Sequence, residues 1–309
     1  MQCRACGRED AFRRFNAREM LFGWRHQVEY GECPHCGSIQ IVTIPANLGD
    51  YYPAGYYSLQ APPVRGKRPG LLRRAWARWL LRSPGAGAVA RGMRRKYPFF
   101  HWCRVAGCGL DAQILDVGCG SGGLLRRLQR YGFSHLTGVD PYTSIEADET
   151  GFRVMRAELT ALGGGYDLIM MHHVLEHLPD PKRSLEELRA RLAPGGRLLV
   201  RIPVAGSETC RLYGADWFNL DPPRHLLVPS RRGMELLAER SGYRVVRTEF
   251  DGMETGYLVS ECYKRDVPYT GRPADSPAQR RHYRKLADVA NRRGDGDQGV
   301  FWLEAVQGE

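Results

Sequence analysis

ILDVGCGSGG, residues 114–123, joins an apolar run to a cluster of glycines. This pattern predicts a buried β-strand, a tight turn and then a helix, because glycine lets the backbone turn sharply and approach a ligand without a Cβ clash. The glycines at 118, 120 and 123 also satisfy the spacing GxGxxG, which is typical of dinucleotide-binding folds but is a weak signal on its own.

Two acidic residues favour one cofactor class over another. Asp116 stands two residues before the first glycine, and Asp140 ends the next apolar run. A carboxylate at position 116 would repel the pyrophosphate of a dinucleotide but can hold a cationic amino group, and Asp140 can accept hydrogen bonds from ribose hydroxyls. The pattern therefore predicts an S-adenosylmethionine site, with a purely structural glycine turn as the alternative.

From residue 110 onward, apolar strand-like runs alternate with helical segments, which indicates an α/β domain with a mostly parallel sheet. The predicted strands are 113–117, 135–140, 152–155, 166–171, 196–202, 243–250 and 300–307, and the predicted helices are about 122–131, 182–192 and 231–241. Pro194-Gly195-Gly196 is predicted to end a helix and turn into the next strand. We therefore predict a Rossmann-like, seven-stranded sheet, with an insertion at about 251–299, where the sequence is polar.

The first 45 residues contain two CxxC pairs, Cys3/Cys6 and Cys33/Cys36, each followed by a glycine. Two such turns bring four thiolates together, which predicts a structural zinc ion in a zinc ribbon. A segment this short has little core of its own, so the metal would supply folding energy. The alternatives are a redox CxxC or coincidence.

The chain has a net charge of +11, and residues 51–110 hold twelve Lys or Arg and no Asp or Glu. A basic connector is therefore expected at 46–109, between the zinc ribbon (1–45) and the α/β domain (110–309). Within it, LLRRAWARWLLR (71–82) predicts an amphipathic helix with apolar positions 72, 75, 76, 79 and 80 on one face. This helix is expected either to pack on the main domain, to lie on a membrane surface or, less favoured, to bind nucleic acid.

The composition indicates where in the cell the protein is expected to be. Apolar residues make up 43% of the chain, no run of 18 apolar residues occurs, and the sequence begins without the apolar core of a secretory signal. Nine cysteines in such a chain indicate metal ligands and reduced thiols. We expect a cytoplasmic protein, with peripheral contact at the inner membrane surface through 71–82 as a further expectation.

Four motifs occur in a fixed order: DVGCGSGG, GVDP (138–141), YDLIMMHHVLEHLPDP (166–181) and LAPGGRLLV (192–200). Over residues 110–250 the chain thereby resembles the class I S-adenosylmethionine-dependent methyltransferases. The resemblance implies that Asp116, Gly118 and Gly120 contact the methionine part of the cofactor and Asp140 the ribose. It places Glu158 beside the adenine and His172 and His173 under the sulfonium. Cys119 and Pro141 are also expected to belong to the cofactor site.

Methyl transfer to a hydroxyl needs a base, and histidine suits this role. The candidates are His173, His177 and His225. His173-Val174-Leu175-Glu176-His177 also matches the metalloprotease pattern HxxEH, which we reject because it lies within the methyltransferase motifs. The same positions resemble those that hold a divalent metal in some quinone-biosynthesis O-methyltransferases. A third interpretation is that Glu176 and His177 only cap and pack the turn.

The sequence WFNLDPPRH (217–225) follows the fifth strand and combines aromatic and polar residues. We predict that it forms the acceptor site, with Trp217, Asn219, Asp221 and Arg224 contacting substrate. The alternative is a proline-stiffened structural loop.

The paired CxxC before a tyrosine-rich connector (Tyr51-Tyr52, Tyr56-Tyr57) resembles a bacterial subgroup associated with sugar or cell-envelope polysaccharide modification. The resemblance implies methylation, at O or C, of a small molecule such as a saccharide or nucleotide-linked sugar. An RNA methyltransferase and a non-catalytic zinc-ribbon adaptor are the alternatives. The intact acids and glycines disfavour the adaptor, and the absence of an Asn/Asp-Pro-Pro-Tyr/Phe motif after 166–171 disfavours RNA methylation.

Overall fold

The computed structural model describes residues 1–53, 70–82, 92 and 96–306. Its strands are β1 Arg13–Arg18, β2 Gln27–Glu32, β3 Ile39–Ile41, β4 Gln113–Val117, β5 His135–Val139, β6 Ala147–Glu149, β7 Phe152–Met155, β8 Tyr166–His172, β9 Leu192–Pro203, β10 Leu227–Val228, β11 Tyr243–Phe250 and β12 Gln298–Ala305. Its α-helices are α1 Leu71–Arg82, α2 Pro98–Val105, α3 Gly123–Arg130, α4 Pro181–Arg189, α5 Glu208–Tyr213, α6 Arg231–Arg240, α7 Glu254–Lys264 and α8 Pro277–Arg293.

Spatial contacts divide these residues into two compact units. The first unit comprises Met1–Pro53, His173–Glu186 and Val200–Leu303. The described residues of the second unit fall within Ala54–His172, Glu187–Leu199 and Glu304–Glu309. This division does not follow the domain boundaries expected from the sequence (1–45, 46–109 and 110–309), which stay a prediction.

The second unit contains a parallel sheet. Its strand order is β9-β8-β4-β5-β7-β6. The pairs β4/β5, β4/β8 and β5/β7 are parallel, and the short β6 runs antiparallel to its neighbour β7. The central strands are fully buried and apolar on both faces, as in Leu168–Met171 of β8, which is typical of a parallel sheet covered by helices. The predicted Rossmann-like α/β fold with a mostly parallel sheet is confirmed.

The first unit contains a four-stranded sheet in the order β1-β2-β3-β10. The first three strands come from the N-terminal segment, whereas β10 comes from residues about 190 positions later and pairs antiparallel with β3. The unit also holds the last residues of β9, followed in strand order by β12 and β11. The N-terminal segment therefore shares a sheet with a strand from a distant part of the sequence.

One core cluster joins these parts of the first unit. Tyr30 and Ile41 of the N-terminal strands pack in the same buried cluster as Trp217 and as Tyr257 of α7. A second cluster joins Met20 to α7. Because burial of large apolar side chains is the main stabilising contribution in folding, the N-terminal strands are stabilised by the core of the whole unit as well as by their cysteines.

The segment 251–299, which is expected to be an insertion, is largely helical, and α7 buries Tyr257, Val259 and Tyr263. That it is an insertion stays a prediction. Two other sequence-based expectations need correction. Pro194-Gly195-Gly196 lies inside β9 and does not precede it, since α4 ends at Arg189. At Gly196 a Cβ would lie 2.6 Å from the carbonyl oxygen of Tyr166, so glycine permits the close approach of β8. The sheet also gains β6, which was not predicted.

Several expectations fall outside the described residues. They include Tyr56 and Tyr57 and half of the basic residues of 51–110, namely Arg65, Lys67, Arg68, Arg91, Arg94 and Arg95.

Candidate functional site

The glycine-rich turn after β4 has the conformation that the sequence predicted. Gly118, Gly120 and Gly122 all have positive φ, at 69°, 52° and 75°, which L-residues with a Cβ rarely adopt. Gly122 is the N-cap of α3, and a Cβ there would lie 2.8 Å from a methyl group of Val154. The third constrained glycine is therefore Gly122, whereas Gly123 of the GxGxxG spacing has no such constraint.

Asp140 follows β5 and faces this turn. Its carboxylate accepts hydrogen bonds from the backbone N–H of Gly120, at 3.0 Å, and of Tyr142, at 2.8 Å. The side chain is nearly buried. Asp140 thus ties the glycine turn to the end of β5, and its carboxylate retains lone pairs for ribose hydroxyls.

Asp116 is buried at the end of β4, and within the described residues its carboxylate has no hydrogen-bond partner. Burial, together with the charge of Asp140, raises the pKa of Asp116 to about 7. A buried, unpaired carboxylate is costly, and a bound cation would remove that cost. The α-ammonium of S-adenosylmethionine is such a cation, so the residues at this turn fit the cofactor that the sequence predicted.

We expect the affinity for S-adenosylmethionine to increase about tenfold between pH 6 and pH 8, because the carboxylate form of Asp116 binds the ammonium and forms as pH passes 7. Asp116→Asn should abolish this pH dependence. Because a raised carboxyl pKa means that ionisation destabilises the folded state, stability falls with pH from about 4 to 7, and Asp116→Asn should stabilise the ligand-free protein at pH 8 by about 4 kcal/mol.

Calorimetric titrations and thermal unfolding at several pH values measure both effects. Asp148→Asn, at an exposed aspartate of the same unit, is the matched control and should change neither. A wild-type affinity that stays constant from pH 6 to pH 8 would contradict the assignment.

The positions of the other predicted cofactor residues do not by themselves indicate contact with a cofactor. The Cys119 thiol packs on β5, 2.6 Å from where a Cβ at Gly138 would stand, so only its backbone is available. Glu158 is exposed, and its backbone carbonyl caps the short helix that follows it. The carbonyl of Pro141 accepts a hydrogen bond from Arg156. The His172 ring lies against that of Trp102, with ring centroids 4.4 Å apart and the ring planes tilted by 34°. The cofactor contacts of these residues stay predictions.

His173 begins the histidine-rich turn of the first unit and is held at both ring nitrogens. Nε2 lies 2.6 Å from a guanidinium nitrogen of Arg201, which can only donate, and Nδ1 donates to Glu176 Oε1 at 3.2 Å. Its φ of 56° is rare for a residue with a side chain. Both ring nitrogens of His173 are thus engaged by protein groups, and its predicted role as a base stays a prediction.

His177 and His225 are arranged differently, with one ring nitrogen available on each. His177 Nδ1 lies 2.9 Å from the carbonyl oxygen of Arg224, and His225 Nδ1 lies 2.8 Å from that of Asn219. A carbonyl can only accept, so both Nδ1 atoms carry the proton and both Nε2 atoms keep a lone pair. The rings meet edge to face with centroids 4.7 Å apart.

Glu176 completes this cluster. It is fully buried, and although burial raises the pKa of its carboxyl, the hydrogen bond from His173 and the nearby histidines lower it to about 2. Burial, followed by the charge of His177, lowers the pKa of His225 to about 4. The cluster at neutral pH thus pairs a carboxylate with a neutral His225. Donor atoms of Glu176, His177 and His225 lie within 4.8 Å of one another, so the set is also compatible with a metal ion.

The predicted acceptor loop is largely a buried structural element. Trp217 is 1% exposed in the core of the first unit, and the amide of Asn219 donates to Asp297 at 2.9 Å. The Arg224 guanidinium is fully buried between Asp221 and Glu19, at 2.6 and 2.8 Å. Trp217, Asn219 and Arg224 are enclosed in the core, and protein groups engage the side chains of Asn219, Asp221 and Arg224. This arrangement favours the alternative of a structural loop, and the four substrate contacts stay predictions.

The N-terminal segment holds this loop through several backbone contacts. The Tyr30 hydroxyl donates to the carbonyl of His225 at 2.9 Å, and Arg4 donates to that of Leu226 at 2.9 Å. Leu226 also pairs through its carbonyl with Ile41 of β3. The position of His225 is therefore set by residues of the cysteine-bearing segment.

The four N-terminal cysteines come together as predicted. The Cys3 and Cys36 sulfurs are 3.6 Å apart, those of Cys6 and Cys33 are 3.8 Å apart, and all four lie within 4.8 Å of one another. Four sulfurs bound to one zinc ion at about 2.3 Å would be about 3.8 Å apart. The set therefore fits a tetrahedral zinc site, and neither pair forms a disulfide.

Both cysteine turns have the same geometry. Gly7 donates to the Cys3 carbonyl and Gly37 to the Cys33 carbonyl, each at 2.8 Å, and both glycines have positive φ. The second turn is supported by α6, because Ser230, the N-cap of this helix, donates from its hydroxyl to the carbonyl of Cys36.

Comparison with known proteins agrees with this geometry. A family model described as a methyltransferase domain matches residues 70–248, more than half of the chain. The chain belongs to this methyltransferase family. A solved S-adenosylmethionine-dependent methyltransferase from Mesorhizobium loti is 17% identical, with a TM-score of 0.43 over 66% of this chain and 96% of the other.

Two curated methyltransferases match part of the chain. The ubiquinone biosynthesis O-methyltransferase of Aeromonas salmonicida (strain A449) is 32% identical over 100 residues, covering 28% of this chain and 42% of that protein. The trans-aconitate 2-methyltransferase of Deinococcus radiodurans is 33% identical over 98 residues, covering 30% of this chain and 38% of that protein. The match thus spans about two fifths of each methyltransferase relative.

Sequence reasoning missed three residues of the site. Glu19 forms the buried ion pair with Arg224, Arg201 holds His173, and the Tyr52 hydroxyl lies 3.1 Å from His177 Nδ1. No spacing in the sequence relates any of them to its partner, since Glu19 and Arg224 are 205 residues apart.

Proposed function

We propose that this methyltransferase-family protein transfers a methyl group from S-adenosylmethionine to a hydroxyl or an acidic C–H group of a small molecule. The observation that carries the proposal is the unpaired, buried carboxylate of Asp116 beside a glycine turn that Asp140 holds in place. Two acids and three left-handed glycines are arranged for a cationic ligand that carries a ribose. A dinucleotide would place its pyrophosphate against Asp116.

The histidine cluster supplies the acceptor chemistry in this proposal. When bound, S-adenosylmethionine provides an electrophilic methyl carbon and leaves as S-adenosylhomocysteine. Nε2 of His177 or His225 removes the proton of the acceptor group, whose electron pair forms the new bond to carbon. The carboxylate of Glu176 stabilises the resulting imidazolium, and His173 holds that carboxylate in place. His225 begins this step as the neutral base.

A structural zinc ion at Cys3, Cys6, Cys33 and Cys36 is part of the proposal, supported by the sulfur distances. The acceptor class that we propose is a saccharide or a nucleotide-linked sugar, which rests on the resemblance of the paired CxxC and the tyrosine-rich connector to the sugar-associated subgroup. The names of the two curated relatives refer to ubiquinone biosynthesis and trans-aconitate, so the acceptor panel must include phenols and carboxylic acids.

Calorimetric titration with S-adenosylmethionine and S-adenosylhomocysteine tests the proposed cofactor. We expect micromolar binding by the wild type and affinity at least about 100-fold weaker in Asp140→Ala, because the ribose loses a charged acceptor and the glycine turn loses its anchor. Asp111→Ala, at an exposed aspartate before β4, is the control. A folded protein that binds neither compound would contradict the proposal and support a non-catalytic adaptor.

A further inference from the structure

Helix α1 exposes a face on which apolar and basic side chains are mixed. Leu71 and Leu72 are 86% and 89% exposed, and Trp79 is 60% exposed. With about 100° between successive residues, these three side chains and Ala75 fall within an arc of about 100°. Exposed leucines of this degree, next to an exposed tryptophan, indicate a surface that another apolar phase covers.

Another face of α1 packs against the rest of the second unit. Trp76 packs against the rings of Tyr97, Phe100 and Tyr131, with centroids 5.6 to 5.8 Å away, and Ala77 is completely buried. The helix cannot rotate Leu72 inward without removing Trp76 from this aromatic cluster. The apolar stripe expected from the sequence is therefore divided, with Trp76 facing inward and Leu72 and Trp79 facing outward.

Two arginines of α1 contact other residues of the second unit, although Arg73 itself is exposed. The Arg73 guanidinium lies 5.8 Å from the centre of the Tyr131 ring, and the Arg74 side chain lies against Gly132. Arg78 and Arg82 are exposed. At about 100° per residue, Arg78 lies next to the outward apolar arc and Arg82 lies within it. The helix contains no acidic residue, so its outward face is both apolar and positively charged.

We propose that this outward face of α1 binds an anionic lipid surface. A basic amphipathic helix with tryptophan and leucine on its free face lies in the plane of the membrane interface, where its arginines contact lipid phosphates. Nucleic acid would use the arginines but gain little from two leucines exposed beyond 80%. Twelve residues extend about 18 Å, and no helix in the described part of the chain is long and apolar enough to cross a bilayer, so the contact lies along the surface.

Co-sedimentation with vesicles tests the proposal with the full-length protein. We expect binding to vesicles of phosphatidylglycerol and phosphatidylcholine, little binding to phosphatidylcholine alone, and weaker binding at high salt. The double substitution Leu71→Gln/Leu72→Gln should weaken binding at least about tenfold, and Arg78→Gln/Arg82→Gln should remove its salt dependence. Trp79→Phe should abolish any blue shift of tryptophan fluorescence on binding.

Leu212→Gln, at an exposed leucine of α5 in the first unit, and Arg280→Gln/Arg281→Gln in the exposed part of α8 are matched controls that should bind vesicles like the wild type. Thermal unfolding and S-adenosylhomocysteine binding confirm that each variant is folded, and the proposal does not depend on catalysis. Three results would overturn it: equal binding by the leucine double variant and the wild type, binding of single-stranded RNA without vesicles, or loss of self-association as the only effect of the leucine variant.

Discussion

Cys36→Ser is expected to cause cooperative loss of structure in the first unit and loss of one zinc ion per chain. Structural zinc contributes about 10 kcal/mol or more of apparent binding free energy in small zinc modules, which is comparable to the whole stability of an ordinary domain. The cysteine cluster is connected to the rest of the unit through Ser230 of α6 and through the pairing of β3 with β10. Its loss should therefore also release the loop that carries His225.

Elemental analysis measures the bound zinc, thermal unfolding measures the stability, and a methyl-transfer assay measures the effect on the loop that carries His225. We expect the variant and the chelator-treated wild type to unfold at a lower temperature and to lose acceptor turnover. Cys262→Ala, at a buried cysteine of α7, is the matched control, since it creates a small cavity that costs about 1 kcal/mol and leaves the metal bound. A Cys36→Ser protein with wild-type stability and no zinc in either protein would contradict the structural role.

His225→Ala and His177→Ala are each expected to lower kcat by about 10² to 10⁴, the usual contribution of a general base, while the affinity for S-adenosylmethionine stays unchanged. With the cofactor saturating, a reaction in which His225 is the base should be independent of pH between 6 and 8. This follows because burial and the charge of His177 lower its pKa to about 4, so the neutral form predominates throughout that range. The rate should fall as pH approaches 4.

Single-turnover kinetics separate the chemical step from binding and product release. His282→Gln, at an exposed histidine of α8, is the matched control and should retain full turnover. His173→Gln should lower kcat less than loss of the base, because it affects Glu176 and not the acceptor directly. A His225→Ala/His177→Ala double variant with normal kcat would remove the histidine cluster from the mechanism, whereas activation of the wild type by added divalent metal would favour the metal alternative.

The cofactor turn was predictable because its determinants are local in sequence. Gly118 and Gly120 need positive φ within a few residues of a strand end, and Asp116 and Asp140 end neighbouring strands. Strand β4 matched its predicted range residue for residue, as did β7 and β11. Short-range sterics and hydrophobic patterning decide such features.

The predicted acceptor loop, 217–225, could not be understood from local sequence in this way. Its composition suggested a polar binding site, yet Arg224 is enclosed because Glu19, from a distant segment, meets it in the core. A buried ion pair is tolerated only when both charges are matched and hydrogen-bonded, and sequence alone does not show which acid does this. The same holds for His173, whose role depends on Arg201.

The sequence by itself determined the α/β class, the strand ends that carry Asp116 and Asp140 and the clustering of the four N-terminal cysteines, since all three follow from periodicity and from the spacing within motifs. Only the tertiary structure decided which face of α1 is free, which histidines keep an available nitrogen and which polar residues of the loop are buried. These depend on contacts between segments far apart in the chain, such as Trp76 against Tyr131 and His225 held by Tyr30. Whether a side chain can contact a ligand depends on which of its atoms the packed protein leaves exposed or without a partner. This follows from the fold and not from the pattern of residues.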